Sequence, residues 1–502
     1  MTEKMSPVRV RFAPSPTGHT HLGSGRTALY DFLLARQVGG QFILRIEDTD
    51  RKRYVETAEQ ELIDSLHWLG MQWDEGPDVG GPYGPYRQSE RKAIYQEYAQ
   101  KLIDLGHAYV CFCTPQMLEK SRQEAQQRKE NAVYPGTCRQ LDPAEVAQRV
   151  AAGEKHVIRF KMPREGTTTV RDLVRGAITV ENRMLDDSIL VKSDGYALYH
   201  LAAMVDDQLM KITHVIRGSE WLPSLPLHAN IIRAFGWEEP GWVHLSVFLK
   251  PSGKGKMSKR ESSDLMKDGY SIFVKDLDEL GYTPEGVVNW IALMGWSYDD
   301  HTEFFNLADL IEKFSLEKLN PSPAAINFAK LDHFNGLHIR NLTTEDLANR
   351  LAPYFVSAGY PQAGTPAGLD LLRKMVPLVR ERLTVLTDAP EVAGFFFHDT
   401  VTPNPMDLVA KGLTVEQSAE VACRSLAVLQ ALPDLRLETG EPPMRALVEE
   451  MGLSAGQVFG ILRVAVTGQK VSPPLFESME IIGQQIVLDR IRTAIELLET
   501  LR

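Results

Sequence analysis

The stretch from Val8 to Ile46 limits the possible folds more than any other part of the chain. Val8, Val10 and Phe12 alternate with Arg9 and Arg11, the period-two pattern of a strand, and Pro14-Ser15-Pro16-Thr17-Gly18 breaks it into a loop. After His21-Leu22-Gly23, the apolar Leu29, Phe32 and Leu33 recur at helical spacing, Gly39-Gly40 stop the helix, and Phe42 to Ile46 read as a buried strand. This β-loop-α-β order opens a nucleotide-binding α/β domain, with its cleft beyond the carboxyl ends of the strands. A proline-fixed turn, Gly18, Gly23 and a helix starting near Ser24 bring backbone N–H groups and the positive end of a helix dipole together, where an anion can bind. His21 can donate to a phosphate oxygen whose charge grows as pyrophosphate leaves; taken alone, the segment also reads as a Gly/Pro turn whose histidine is satisfied by its neighbours.

Downstream, Thr57 and Gln60 have the spacing of a capping box ahead of Leu62, Ile63, Leu66 and Leu69. From 87 to 193 the pattern loosens into charged helices, such as Met117 to Asn131, and short strands, such as Val157 to Lys161, which reads as an insertion. Ile189 to Val191, Ile212 to Ile216 and Leu225 to Phe235 restore the alternation and are expected to complete the parallel sheet. Beyond Lys250 the segments are mostly helical, with Thr283 as N-cap and Pro284 at the first helical position. Pro/Gly clusters at Ala358 to Gly368 and Leu432 to Pro443 suggest loops between bundles, and the closing helix carries Leu488, Ile491, Ile495 and Leu498 on one face. No apolar run reaches the roughly 18 residues of a membrane span, and Met1 to Val10 lack the apolar core of a signal peptide, so a cytoplasmic protein is expected.

A second chemical cluster lies at Lys250, Lys254, Lys256, Lys259 and Arg260, spaced by Gly253, Gly255 and Ser258. Cations that fold over a triphosphate stabilise departing pyrophosphate without covalent participation, whereas a solvated basic loop is the plainer meaning of such a run. The formal charge of −11 offers no global attraction to a polyanion, so any nucleic-acid contact has to come from local basic patches.

Read jointly, Pro14-Ser15-Pro16-Thr17-Gly18-His19-Thr20-His21-Leu22-Gly23 and Lys256-Met257-Ser258-Lys259-Arg260 resemble the two signatures of class I aminoacyl-tRNA synthetases. Arg45-Ile46-Glu47-Asp48-Thr49-Asp50, Gly80 to Ser89, Lys192-Ser193-Asp194-Gly195, Tyr199-His200-Leu201-Ala202, Val205-Asp206-Asp207, His214 to Gly218 and Arg463 to Gly468 make the chain similar to the glutamyl-tRNA synthetases. The resemblance implies an α/β class: a Rossmann-type catalytic domain with an α+β insertion, then an all-α anticodon-binding region. Its implied divisions are 1–86 and 194–249 for the two catalytic halves, 87–193 for the acceptor-binding insertion, 250–345 for a stem-contact domain with the basic loop, and 346–502 for the anticodon region.

It also implies ATP-dependent glutamyl-adenylate formation and transfer of glutamate to the terminal adenosine of tRNA(Glu), with Mg²⁺, in a monomer. Arg11 and Arg217 are the implied carboxylate partners, each a guanidinium fork suited to a bidentate grip. Ser15, Glu47 and Tyr199 would complete the amino-acid pocket, with Glu47 accepting from the ammonium. His21, Gly23, Glu220, the Leu249 backbone, Lys256, Ser258 and Lys259 would meet ATP, His21 and Lys259 being the catalytic pair. Arg380 to Leu386 looks like the family's anticodon-reading helix, with Arg382 the better candidate for discriminating the third anticodon base.

Cys111-x-Cys113 with Cys138 resembles a zinc motif of some glutamyl enzymes, but the expected further ligand falls on Gln140, a poor one, and His107 stands at the wrong offset. Zinc and three reduced buried cysteines remain alternatives. A helical tail argues against the glutaminyl enzymes, whose family ends in β-barrels, and the residues after Arg260 argue against a shortened relative. Charging of tRNA(Gln) as well, or a catalytically inactive tRNA-binding paralogue, are the rival readings.

Overall fold

A computed structural model describes residues 7–50, 53–128, 134–257 and 262–501. It forms two compact units, one of Met1–Glu279 with Val287–Phe328 and the other of Leu280–Gly286 with Ala329–Arg502.

In the first unit the opening motif forms as read. Strand Arg9–Phe12 runs parallel to Gln41–Leu44, Arg9 opposite Gln41 and Phe12 opposite Leu44, and helix Leu22–Val38 crosses between them. The alternation does not separate a buried face from a solvated one, because all four residues of the first strand are buried. Arg9 and Arg11 tolerate this because each has a carboxylate partner, Glu75 at 2.8 Å and Asp207 at 3.0 Å. The helix begins two residues earlier than expected, with His21 as its N-cap, and ends where Gly39 takes φ 65°, a left-handed conformation that glycine enters without a Cβ clash. On the far side of the first strand the Arg9 carbonyl accepts from Thr213 N–H at 2.9 Å, leading into the parallel pair His214–Gly218 and Gly241–Leu245.

Two expectations fail in this unit. Thr57 takes a helical backbone, φ −81° and ψ −12°, so its side chain caps nothing, and Gln60 donates to Asp64 instead. Ile189–Val191 is a strand, but it pairs antiparallel with Val157–Phe160 in a small sheet with Ala108–Cys111, while Leu225–Ala234 is a helix. The strand that does continue the parallel pairing is Gly241–Leu245, and Asp172 of the hairpin Thr167–Asp172 and Gly176–Glu181 sits opposite Trp242. The charged helix spans Pro115–Gln127, capped by Thr114; its expected end at Asn131 lies outside the described residues.

Among the described residues of the second unit, the regular elements are all α- or 3₁₀-helices. Helix Pro284–Leu293, of which Val287 onward belongs to the first unit, is capped by Thr283 as read, the Thr283 hydroxyl accepting from Gly286 N–H at 3.2 Å. The closing helix Gln484–Glu499 buries Leu488, Ile491 and Leu498, with Ile495 half-buried beside them. The Leu432 to Pro443 loop gives way to helix Leu437–Glu450, which runs through Pro442 and Pro443. Burial of Met444 and Leu447 offsets the ladder bonds those prolines cannot donate. Likewise Pro361–Gly364 is a 3₁₀ turn leading into helix Pro366–Val379 rather than an open loop. Among the described residues no helix is long and apolar enough to cross a membrane.

Candidate active site

The carboxyl ends of the first-unit strands open onto a cavity of about 970 Å³. Arg11 and Phe12 from the first strand, Ile216 to Gly218 from the strand after Thr213, and Gly23 to Thr27 from the start of the first helix line it together. Parallel strands place their carboxyl ends and the following helix starts on one edge, which explains why distant segments converge there.

One end of the cavity rests on a buried charge network. Asp207 Oδ1 accepts from Arg11 Nε at 3.0 Å and from Arg45 at 2.7 Å, and Arg45 donates to Glu47 Oε1 at 3.0 Å. Gln88 adds a longer contact to the same Glu47 oxygen, 3.4 Å. Burial is the largest influence and works against the Arg11 charge, but Asp207, Tyr199 and Asp31 together outweigh it and the pKa is raised. For Glu47 burial prevails over Arg45 and Arg11 and pushes the carboxyl up to about 7.

Arg217 faces this network from the other wall. Its Nε donates to His244 Nε2 at 2.9 Å, its Nη1 to His228 Nδ1 at 2.9 Å and, more weakly, to the Tyr199 hydroxyl at 3.4 Å. Tyr199 is held in turn by Trp221, ring centroids 4.2 Å apart. The Nη2 of Arg217 is buried without a partner. The expected fork is therefore spent along its Nε and Nη1 sides, and the donor remaining for a ligand is Nη2. A buried donor without an acceptor costs about 1–3 kcal/mol, a cost that a carboxylate arriving in the cavity would remove.

The other end, around His21, differs from the simple anion cradle that the loop suggested. All four leading amides of the first helix are already engaged: Leu22 N–H on the Ile272 carbonyl, Gly23 N–H on His21 Nδ1 at 3.0 Å, and Ser24 and Gly25 N–H on the His21 carbonyl. What the helix offers an anion is its dipole and the His21 ring, whose Nδ1 accepts so that its hydrogen sits on Nε2. Ser15, Gly23, Glu220 and Lys256 line the cavity with His21. Leu249 does not; its carbonyl accepts from Ile326 N–H at 3.1 Å. Ser258 and Lys259 lie outside the described residues.

Residues 7–333 match the family described as tRNA synthetases class I (E and Q), catalytic domain, and residues 346–495 match an anticodon binding domain. The chain belongs to the class I tRNA synthetases of the E and Q type. Among its relatives, a glutamate–tRNA ligase of Dehalococcoides mccartyi is 44% identical over 496 residues, 98% of this chain and 99% of the relative. One from a Roseiflexus species is 45% identical over 503 residues, 98% of this chain and 97% of the relative. A crystal structure of a glutamate tRNA ligase from Elizabethkingia meningosepticum, in complex with its amino acid, superposes with a TM-score of 0.89 at 37% identity, covering 98% of this chain and 99% of that one. The α/β catalytic domain and helical C-terminal region expected from the sequence are those of this fold, and the enzyme is an aminoacyl-tRNA ligase.

In this synthetase the three clustered thiols come together as the spacing suggested: all three sulfurs of Cys111, Cys113 and Cys138 lie within 4.8 Å of one another. Neither Gln140 nor His107 joins them; both are exposed, and among the described residues the group comprises the cysteines alone. The residue that does face the sulfurs is Tyr134, whose hydroxyl is 3.3 Å from Cys111 Sγ and 3.5 Å from Cys113 Sγ. Burial acts against the Cys111 thiolate, but hydrogen bonds from Tyr134, the Cys113 backbone and Arg159 prevail and lower its pKa; burial raises Cys113 to about 11. An electron-rich set of this kind suits a thiophilic cation such as Zn²⁺.

In the helical unit Arg382 is exposed on a 3₁₀ turn, Arg380–Arg382, so the expected helix over 380 to 386 reduces to one turn. Arg380 is structural, donating to the carbonyls of Arg340 and Leu342 at 3.3 and 3.2 Å. Sequence reasoning gave no role to Arg45, Gln88, His228, His244 or Tyr134. Arg45 and Asp207 stood inside quoted motifs, but nothing local reveals that they meet.

Proposed function

We propose that this synthetase is a glutamate–tRNA ligase in which one cavity holds glutamate at the Arg11–Glu47–Arg217 end and ATP at the His21 end. The observation that carries the reading is the composition of the first end. Two guanidiniums for two carboxylates and one carboxylate for one ammonium match an acidic amino acid. Leaving a paired arginine against a neutral amide would forfeit a charge-assisted bond, so glutamate is preferred to glutamine. The curated relatives that share nearly the whole chain bear the same name.

The glutamate α-carboxylate attacks the ATP α-phosphorus in line, and pyrophosphate leaves. His21 Nε2 and Lys259 stabilise the charge that develops, with Gly23, Glu220, Lys256 and Ser258 positioning the nucleotide and Ser15 and Tyr199 the amino acid. Mg²⁺ bound with ATP would neutralise phosphate charge. The terminal ribose hydroxyl of tRNA(Glu) then attacks the adenylate carbonyl and AMP departs, so no protein nucleophile is needed.

We further infer that 1–86 and 194–249 form the catalytic halves, 87–193 the acceptor-end insertion, 250–345 the stem-contact domain and 346–502 the anticodon region, with Arg382 reading the third anticodon base. Cys111, Cys113 and Cys138 hold a zinc ion, with the Tyr134 oxygen rather than Gln140 beside them. The enzyme is a cytoplasmic monomer. Aminoacylation of purified tRNA(Glu) and tRNA(Gln) with glutamate and with glutamine tests the reading: glutamate on tRNA(Glu) supports it, and no charging of either tRNA by folded protein refutes it.

A further inference from the structure

Behind Arg217 lies a line of buried polar groups that the mechanism does not use. His244 Nδ1 is 2.7 Å from Asp172 Oδ2 and its Nε2 is 2.9 Å from Arg217; His228 Nδ1 is 2.9 Å from Arg217 and its Nε2 is 2.9 Å from His200 Nδ1. His228 and His244 are wholly buried. A guanidinium can only donate, so each imidazole accepts from it, His244 through Nε2 and His228 through Nδ1. That choice fixes both tautomers. The hydrogen of His244 sits on Nδ1 against Asp172, and that of His228 sits on Nε2 against His200. Each ring is therefore neutral, its two nitrogens divided between one acceptor and one donor.

The contrast with the rest of the cavity gives this arrangement its meaning. Arg11 and Arg45 are ion-paired to Asp207 at 3.0 and 2.7 Å. Among the described residues no carboxylate lies within ion-pair distance of Arg217, whose hydrogen-bond partners are two imidazoles and a phenol. Asp172 is held one ring away from Arg217 by His244, and Asp207 acts on the guanidinium only through its more distant charge. The Nη2 of Arg217 nevertheless remains buried without an acceptor at the cavity wall. Nature's ordinary partner for a buried arginine is a carboxylate, and here the positions that could supply one are filled by uncharged acceptors that orient the guanidinium equally well.

Resting on the glutamate reading above, we propose that His228 and His244 are specificity-determining positioning residues: a neutral bed that fixes the Arg217 plane while leaving its charge unquenched for the substrate's carboxylate. Burial lowers the pKa of both rings, which keeps the bed uncharged in the neutral range.

The test separates charge from shape. His228→Asn and His228→Asp place the same number of heavy atoms, and each keeps an oxygen acceptor near the position of Nδ1; only the second carries a charge. Glutamate KM, ATP KM and kcat are measured in tRNA(Glu) charging, together with kcat/KM for glutamine. His228→Asp is expected to raise the glutamate KM above that of His228→Asn by roughly thirtyfold, the scale of a buried charge-assisted contact. The ATP KM stays put and the glutamate-to-glutamine preference shrinks by the same factor. His244→Gln and His244→Glu form a second pair that keeps an acceptor near Nε2, and they decide the matter if His228→Asp does not fold. Equal glutamate KM values within a folded pair overturn the proposal, as does an acidic variant that weakens ATP and glutamate alike. Failure of the unsubstituted enzyme to use glutamate would instead overturn the functional reading.

Discussion

Replacing Glu47 by glutamine isolates the one carboxylate assigned to the substrate ammonium, and its consequences can be worked out in sign and size. Burial moves the Glu47 carboxyl from 4.5 to about 7 in the folded protein. Between those values the folded chain holds a proton that the unfolded chain has released. The stability contribution is thus fully present below about pH 4.5 and is lost as pH rises through about 7, a total of roughly 3 kcal/mol at 1.36 kcal/mol per unit. Glutamate binding runs the other way, because its ammonium needs the ionised carboxylate. Below pH 7 each unit of acidification therefore weakens binding by about tenfold, and above pH 7.5 the affinity levels off. Titration calorimetry in two buffers of different ionisation enthalpy should record about one proton released per glutamate at pH 6 and almost none at pH 8. Glu47→Gln should bind glutamate weakly at every pH and release no proton. Wild-type affinity that is flat from pH 5.5 to 8, or a Gln variant that retains the slope, would refute the assignment of Glu47 to the ammonium.

Lys259→Ala should slow adenylate formation by on the order of 100-fold in single-turnover experiments, the scale of losing a preorganised cation at the leaving group; near-normal adenylation rejects its role. Pyrophosphate exchange without tRNA should be feeble, as the family resemblance implies, and robust exchange contradicts it. Metal analysis of purified protein should find about one zinc per chain, falling in Cys113→Ser; a metal-free wild type returns the cluster to plain burial.

The parts of the molecule that could be read in advance are those whose cause is local. A strand, a proline turn and a helix stop at Gly39 follow from neighbours in sequence, and the opening βαβ unit duly forms. The same locality explains the errors. Ile189–Val191 has the composition of a strand, but which sheet it joins depends on Val157–Phe160, more than twenty residues upstream. Thr57 has capping chemistry, yet capping requires an extended backbone that Thr57 does not adopt. Pro442 and Pro443 argued for a loop, and the apolar face of Leu437–Glu450 overrode them. At the site, Arg11 could be picked out, while its anchor Asp207 lies 196 residues away and nothing in the sequence spacing joins them. His228 and His244 gave no signal because a histidine among apolar residues reads as core until its partners are visible.

One cavity serves both substrates in this reading of the enzyme, and a crystal of the protein with a non-hydrolysable glutamyl-adenylate analogue examines that directly. The side-chain carboxylate or its α-substituent should lie within hydrogen-bonding distance of Arg217 Nη2, the ammonium against Glu47, and the phosphate at the start of helix Leu22–Val38 beside His21. An analogue bound with its phosphate away from His21, or with Arg217 Nη2 still lacking an acceptor, would contradict it.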